Sequence, residues 1–171
     1  MKITLVMVMS LDGKTTSSAG PIWSSAEDRE QFESLKKIYP VLIMGRKTYD
    51  VVTKHQKISS PPIRIVVSRT RGVSQPGMLE FTTKEPKELV ADLEKRGFTS
   101  ALLVGGSKLA GSFLHQKLIT DCYITIEPTI FGQGNPLFVI DAVSVRLKLD
   151  QIKKLNETGS IRLHYIFHYD S

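Results

Sequence analysis

Two short stretches pair glycine with cations in a way that suits anion chemistry: Met44-Gly45-Arg46-Lys47-Thr48 and Val104-Gly105-Gly106-Ser107-Lys108. Each follows an apolar run and precedes a helix-like pattern, so each reads as a strand-to-helix junction. Glycine there lets an anion approach the backbone. The helix that follows offers free N–H groups and the positive end of its dipole. A tight turn explains either glycine equally well on its own. Two such junctions in one sheet, with Arg46, Lys47 and Lys108 beside them, favour a ligand carrying several phosphates. A third basic element, Ser68-Arg69-Thr70-Arg71, follows the apolar run IRIVV. Serine and arginine at a strand end suit a phosphomonoester such as the 2′-phosphate of NADP, and suit a solvated basic loop equally. The dinucleotide fingerprint G-x-G-x-x-G is absent. The run Gly106 to Phe113 lacks the lysine that a phosphate loop carries after its second glycine, which disfavours a nucleotide kinase.

Other side chains able to do chemistry are few. Asp28 stands four residues before Phe32 and seven before Leu35. That spacing puts its carboxylate on the inward stripe of a helix. Ser25 and Asp28 also form a helix-capping pair, so Asp28 is either an acid group of a site or a cap. His164 and His168 share one face of a strand, but without a third ligand they do not make a metal site. His55 and His115 read as surface residues, and Cys122 as a small core residue.

The elements that must position these groups follow from the hydrophobic pattern. Ile3 to Met9 is a near-continuous apolar run, which suits a strand buried on both faces. Ser24 to Asp28 opens a helix carrying Phe32, Leu35 and Tyr39. Strands are predicted over Val41–Met44, Ile63–Val67, Met78–Thr82 and Ala101–Val104. Helices are predicted over Arg46–Val52, from Pro86 to a stop at Gly97, and over Ser107–Leu118. From Cys122 onward strands dominate, ending in the alternating IRLHYIFHY of Ile161 to Tyr169. Strands alternating with helices, closed by strands, predict an α/β fold. Its sheet is mixed and mainly parallel, with helices on both faces and antiparallel strands at one edge.

The 171 residues suit a single domain over 1–171. No apolar run approaches the ~20 residues of a membrane span, and the apolar N-terminus reads as a first strand rather than a leader peptide. A single cysteine excludes an internal disulfide and suits a cytoplasmic setting. The net charge of +6 favours an anionic partner. Without a basic tail or an aromatic-interleaved basic run, nucleic acid is not supported.

In order and spacing, VLIMGRKTYD, IVVSRTR and LLVGGSKLAGSFL resemble the dihydrofolate reductase superfamily. MSLDGKTT and ITIEPTIFGQGNPLF narrow the resemblance to the riboflavin-biosynthesis reductase domain, the C-terminal half of bifunctional deaminase–reductase proteins. The resemblance spans nearly the whole chain. It implies a three-layer α/β/α dihydrofolate-reductase-like fold, NADPH as hydride donor, a small-molecule substrate and a homodimer. By position it implies that Gly45, Arg46, Lys47 and Thr48 hold NADPH phosphate. Ser68 and Arg69 would meet the adenosine 2′-phosphate, and Gly105, Gly106, Ser107, Lys108 and Leu109 would lie beneath the pyrophosphate. It makes Asp28 and Lys14 the candidate catalytic residues, and Ser10, Asp12, Trp23, Phe32 and Glu127 the candidate substrate contacts. The implied reaction is reduction of a ribosylamino-pyrimidine phosphate, with a dihydrofolate or other pterin as the alternative substrate. A nucleotide-binding module without catalysis is the alternative from another class. Two places depart from the riboflavin pattern. Val104 stands where those reductases usually carry glutamate, and VVTKHQKISSPP lacks their Asp-x-Pro element.

Overall fold

The computed structural model describes residues 1–16, 23–55, 60–70, 72–141 and 143–169; the side chain of His55 is not described. The elements run β1 (Lys2–Ser10), α1 (Ala26–Lys36), β2 (Val41–Gly45), α2 (Arg46–His55), β3 (Ile63–Val67), β4 (Leu79–Thr82), α3 (Pro86–Lys95), β5 (Ser100–Leu103), α4 (Ser107–His115), β6 (Asp121–Glu127), β7 (Arg146–Lys154) and β8 (Ile161–His168). The strands form one eight-stranded sheet in the order β4-β3-β2-β5-β1-β6-β8-β7. Pairing is parallel from β4 through β6 and antiparallel at β6–β8 and β8–β7.

The continuous apolar runs become central strands because both sheet faces are covered. Val41 and Ile43 face one core with Ile3, Leu5, Ile65, Leu103, Leu89 and Leu93 of α3, and Phe113 of α4. Leu42 and Met44, one residue out of phase, face the other core with Leu35, Tyr39, Val66 and Leu102. Alternation at period two thus splits one run between two layers.

The helix starts obey local rules. The Ser25 side chain caps α1 by accepting from the Asp28 N–H, and Glu27 and Asp28 sit in the first turn. Pro86 opens α3 inside a Glu85–Glu88 capping box. The helix predicted over Ser107–Leu118 ends at His115, and the helix predicted over Arg46–Val52 extends to His55. The long alternation at the C-terminus pairs with β7 across a bulge between Leu149 and Gln151.

Candidate functional site at the carboxyl edge of the sheet

The carboxyl ends of β3, β2, β5, β1 and β6 lie side by side, and they bring most of the expected site residues to one edge. The two glycine junctions touch. The Gly45 N–H donates to the Gly105 carbonyl at 2.9 Å. A Cβ on Gly106 would sit 3.7 Å from Thr48 Oγ1, and one on Gly105 would sit 3.9 Å from the Met7 methyl. Gly105 has φ +103°, a conformation that L side chains rarely adopt, so glycine is required there. As a result α2 and α4 begin next to each other, and two sets of first-turn N–H groups flank one point.

The third basic element joins them. Ser68 is buried at the end of β3, where its hydroxyl donates to the Thr70 carbonyl at 2.8 Å and accepts from the Thr70 N–H at 3.2 Å. It therefore builds the turn that presents exposed Arg69 and Thr70. Arg46 reaches toward this turn. Its Nε bonds Asp50 at 2.8 Å, a guanidinium nitrogen reaches Thr70 Oγ1 at 3.4 Å, and the group lies 5.8 Å from the Phe81 ring centre. Lys47 and Lys108 are exposed, Leu109 packs on the core, and Arg71 lies outside the described residues.

A second part of the site forms around β1. This strand is central, yet Val6 to Met9 are only half-buried on both faces. The central strand of a covered sheet keeps such exposure only where its carboxyl half borders a cleft. On the α1 side the cleft is floored by Val6 and Val8 and flanked by Asp28 and Phe32, both of intermediate burial.

Beyond β1 the chain is laced to the β6–β7 connection. Asp12 Oδ1 accepts from Ser10 Oγ at 2.6 Å and from the Phe131 N–H at 3.1 Å; Oδ2 accepts from the Gly132 N–H at 2.8 Å. The hydrogen bond from Ser10, followed by those from the two backbone amides, holds the Asp12 carboxyl down to about 2. Lys14 donates its N–H to Ser10 Oγ at 2.9 Å and forms an isolated bridge with Pro136. Thr15 reaches the start of α4 through Ser107 Oγ at 3.2 Å. Trp23 packs edge-to-face on Phe131, ring centres 4.7 Å apart.

Glu127 and Cys122 point inward. Glu127 is 5% exposed; its oxygens accept from the Ser25 N–H at 2.8 Å and from Ser160 Oγ at 2.5 Å. That ties the entry of α1 to the ends of β6 and β8. The Cys122 thiol is pushed up to about 12 by burial, which makes it an inert core group.

Several residues at this edge are silent in the sequence. Thr15, Phe131, Asn135 and Val139 matter through the crossing of two loops far apart in the chain. Arg162, on the other side of the α1 cleft, is nine-tenths buried. Its signal was a cation on an inward-facing position of an alternating strand.

Among the described residues no group of three or more His, Cys, Asp or Glu could hold a metal ion, and no helix is long and apolar enough to cross a membrane. The first 159 residues match the family model described as the RibD C-terminal domain. YwjB of Bacillus subtilis, an uncharacterized protein, is 25% identical over 96% of this chain and 97% of its own. A Shewanella sp. PV-4 structure assigned to riboflavin biosynthesis superposes with a TM-score of 0.84 at 22% identity, covering 99% of this chain and 100% of that one. The Thermotoga maritima diaminohydroxyphosphoribosylaminopyrimidine deaminase/5-amino-6-(5-phosphoribosylamino)uracil reductase superposes with a TM-score of 0.75 at 19% identity. In that case 98% of this chain covers 56% of the other.

Proposed function

The chain belongs to the RibD C-terminal domain family, and on that premise we propose that it is an NADPH-dependent reductase of the riboflavin-biosynthesis type. It would act as one cytoplasmic domain on the ribosyl group of a phosphoribosylamino-pyrimidine. The observation that carries this reading is the meeting of three basic or glycine-bearing strand ends, β3, β2 and β5, beside a half-open cleft over β1. A dinucleotide fits such an edge. Its pyrophosphate takes the N–H groups that begin α2 and α4, and its 2′-phosphate takes Arg69 with Arg46 alongside.

When bound, the cofactor supplies the hydride. The chain's own part is to orient the two reactants and exclude water. Asp28 faces the cleft from α1, where its carboxyl can hold or pass the proton that accompanies the hydride. Lys14, fixed by the Ser10–Asp12 latch, meets a substrate oxygen at the mouth. With both oxygens engaged, Glu127 acts by holding α1 against the sheet.

The first test is NADPH oxidation by the purified protein with the phosphoribosylamino-pyrimidine and, in parallel, with dihydrofolate. Turnover of the pyrimidine is expected. Turnover of dihydrofolate alone would move the assignment to a pterin reductase, and absence of NADPH binding would remove the reductase reading. Arg69→Ala should weaken NADPH binding by ~1.5–3 kcal/mol, as for a charged hydrogen bond, and leave NADH binding unchanged. Equal loss for both cofactors would take Arg69 away from the 2′-phosphate.

The family reading also includes a homodimer, and the C-terminal hairpin supports it. Leu147, Leu149, Ile152 and Ile161 are exposed, and the register puts them with Leu163 and Tyr165 on one face of the β7–β8 edge. Such a contiguous apolar face fits an association surface. Light scattering should find a dimer that Leu149→Lys with Ile152→Lys converts to monomer. A monomeric wild type would exclude it.

A further inference from the structure

Arg162 sits near the start of β8, opposite Thr125 of β6. Its residue surface is 9% exposed, so the guanidinium has been taken largely out of water. A cation in such a place ordinarily carries a carboxylate partner, because burying it unpaired is costly. Arg162 has none within ion-pair distance among the described residues. Its one hydrogen bond there runs to the side-chain oxygen of Gln31 on α1, at 3.0 Å. The plane of the group rests on the Tyr123 ring, 4.1 Å from its centre. Tyr123 is itself stacked on His164 at 4.2 Å, and His164 is held between Asp121 and Asp150. The guanidinium is thus fixed in orientation while most of its donors are uncommitted. No buried side-chain nitrogen among the described residues is sealed off without a partner. The uncommitted N–H groups therefore keep some contact with solvent, at a point of β8 beside Thr125 of β6, which in turn neighbours Val8 of β1. Asp28 is the carboxylate whose field reaches Arg162 from α1.

We infer that Arg162 is a specificity-determining substrate contact: it donates to a ring carbonyl of a planar heterocycle whose adjacent N–H group donates to Asp28. Two opposite charges across one cleft, not bridged to each other, select a ligand edge that offers a donor beside an acceptor. A full anion in this position would be repelled by Asp28, and a cation by Arg162. A lactam edge, N–H next to C=O, satisfies both, and the planar fork of arginine suits a carbonyl oxygen. This rests on the reductase reading above for the claim that the cleft receives a substrate, and adds which ring edge it recognises. Pyrimidinediones and oxopteridines share that edge.

The test is calorimetric titration of wild type, Arg162→Ala, Arg162→Lys and Gln31→Ala with diaminouracil, lumazine and tetraaminopyrimidine. The first two probes carry the lactam edge, as one ring and two; the third has amino groups in place of the carbonyls. Arg162→Ala is expected to weaken both lactam probes by about tenfold or more, the loss of a charge-assisted hydrogen bond, while tetraaminopyrimidine binding holds. Gln31→Ala, which cuts the tie to α1 and leaves the guanidinium, should bind the lactam probes as wild type does. The tighter of the two probes reports ring number. Unchanged lactam binding in Arg162→Ala, equal loss for all three probes, or a wild type that binds neither lactam probe would each overturn the inference. So would a Gln31→Ala loss as large as that of Arg162→Ala, since Arg162 would then only brace α1. NADPH titrated into the same samples judges the reductase reading separately. Should Arg162→Ala fail to fold, Arg162→Lys decides. It keeps the charge without the fork and is expected to lose the preference for diaminouracil over tetraaminopyrimidine; retention of that preference would sink the assignment.

Discussion

Replacing Gly111 by alanine is expected to destabilise the protein by about 3 kcal/mol or more, at the upper end of what overpacking costs. Gly111 lies in the middle of α4, where glycine is itself unfavourable. A Cβ there would stand 2.1 Å from the Val139 carbonyl oxygen and 2.9 Å from its carbon. Both are backbone atoms, so no side-chain rotation relieves the clash. Either α4 or the segment around Val139 must move. That segment donates the Val139 N–H to the Ser107 carbonyl at 3.1 Å, at the start of the same helix. The substitution should therefore reach the site as well: on the proposed reductase reading, NADPH binding should weaken together with the loss of stability. Thermal unfolding and cofactor titration measure the two effects. At ~2–4 °C per kcal/mol for a domain of this size, the melting point should fall by roughly 6–12 °C. The neighbouring Ser112→Ala, whose hydroxyl bonds only within its helix at Leu109, should stay within about 0.5 kcal/mol of wild type. Wild-type stability in Gly111→Ala would mean that the close approach of α4 to Val139 is not part of the native packing.

Asp121→Ala should cost about 1–3 kcal/mol at neutral pH, the range for leaving buried hydrogen-bonding groups without their acceptor. Asp121 is 4% exposed at the start of β6, at the end of the sheet opposite the cleft. One oxygen accepts from Thr4 and Thr120 hydroxyls, each at 2.8 Å. The other meets His164 Nε2 at 2.9 Å and Lys2 Nζ at 3.3 Å. Thr4 is in turn bonded to the Tyr39 hydroxyl at 2.8 Å, which carries the network to the end of α1. Truncation leaves the buried Thr4 hydroxyl and the largely buried His164 Nε2 short of a partner, while half-exposed Lys2 and exposed Thr120 turn to water. Burial pushes the Asp121 carboxyl up, but the hydrogen bonds from His164, Thr4 and Thr120 and the charge of Lys2 outweigh it, so the group lies below its ordinary value of 3.8. A carboxyl depressed in the folded state contributes stability that is complete above the unfolded value. That contribution fades as pH falls through the folded one. The gap between wild type and Asp121→Ala in urea unfolding should therefore be widest at neutral pH and narrow below about 4. A gap that stays constant into acid would show that the charge of Asp121 does not stabilise the fold.

The meeting of glycine-bearing and basic strand ends at one edge was legible in the chain because its signals are local. Gly45 with Arg46, Ser68 with Arg69, and Gly105-Gly106 with Ser107 each announce a strand end by an apolar run that stops at a turn residue. The rules for such sheets already place strand ends together. The layer order followed in the same way, since runs such as Val41–Met44 fit a strand covered on both faces. Ser25 as the cap of α1 and Pro86 as the opening of α3 depend on neighbours within one turn of chain.

Other decisions belong to pairs of residues far apart in sequence, and there only tertiary structure could choose. Glu127, read as a substrate contact, has its oxygens taken by Ser25 and Ser160, a consequence of where α1 and β8 come to lie. Asp12 has the composition of a surface turn or of a site, and it becomes a latch because the β6–β7 loop crosses over it. His164 looked like a strand residue sharing a face with His168. It stacks on Tyr123 and lies between two carboxylates, Asp150 being brought to it from the bulged position of β7. Arg162 carried only the faint mark of a cation on an inward-facing position of an alternating strand. Residue type and spacing along the chain determine which segments are strands, where they stop and which junctions can take an anion, because those are short-range questions of periodicity and capping. Whether a given charged side chain ends on a ligand, on a helix cap or in a buried network depends on the crossing of β1, β6 and β8 beneath α1, and that crossing exists only in the folded chain.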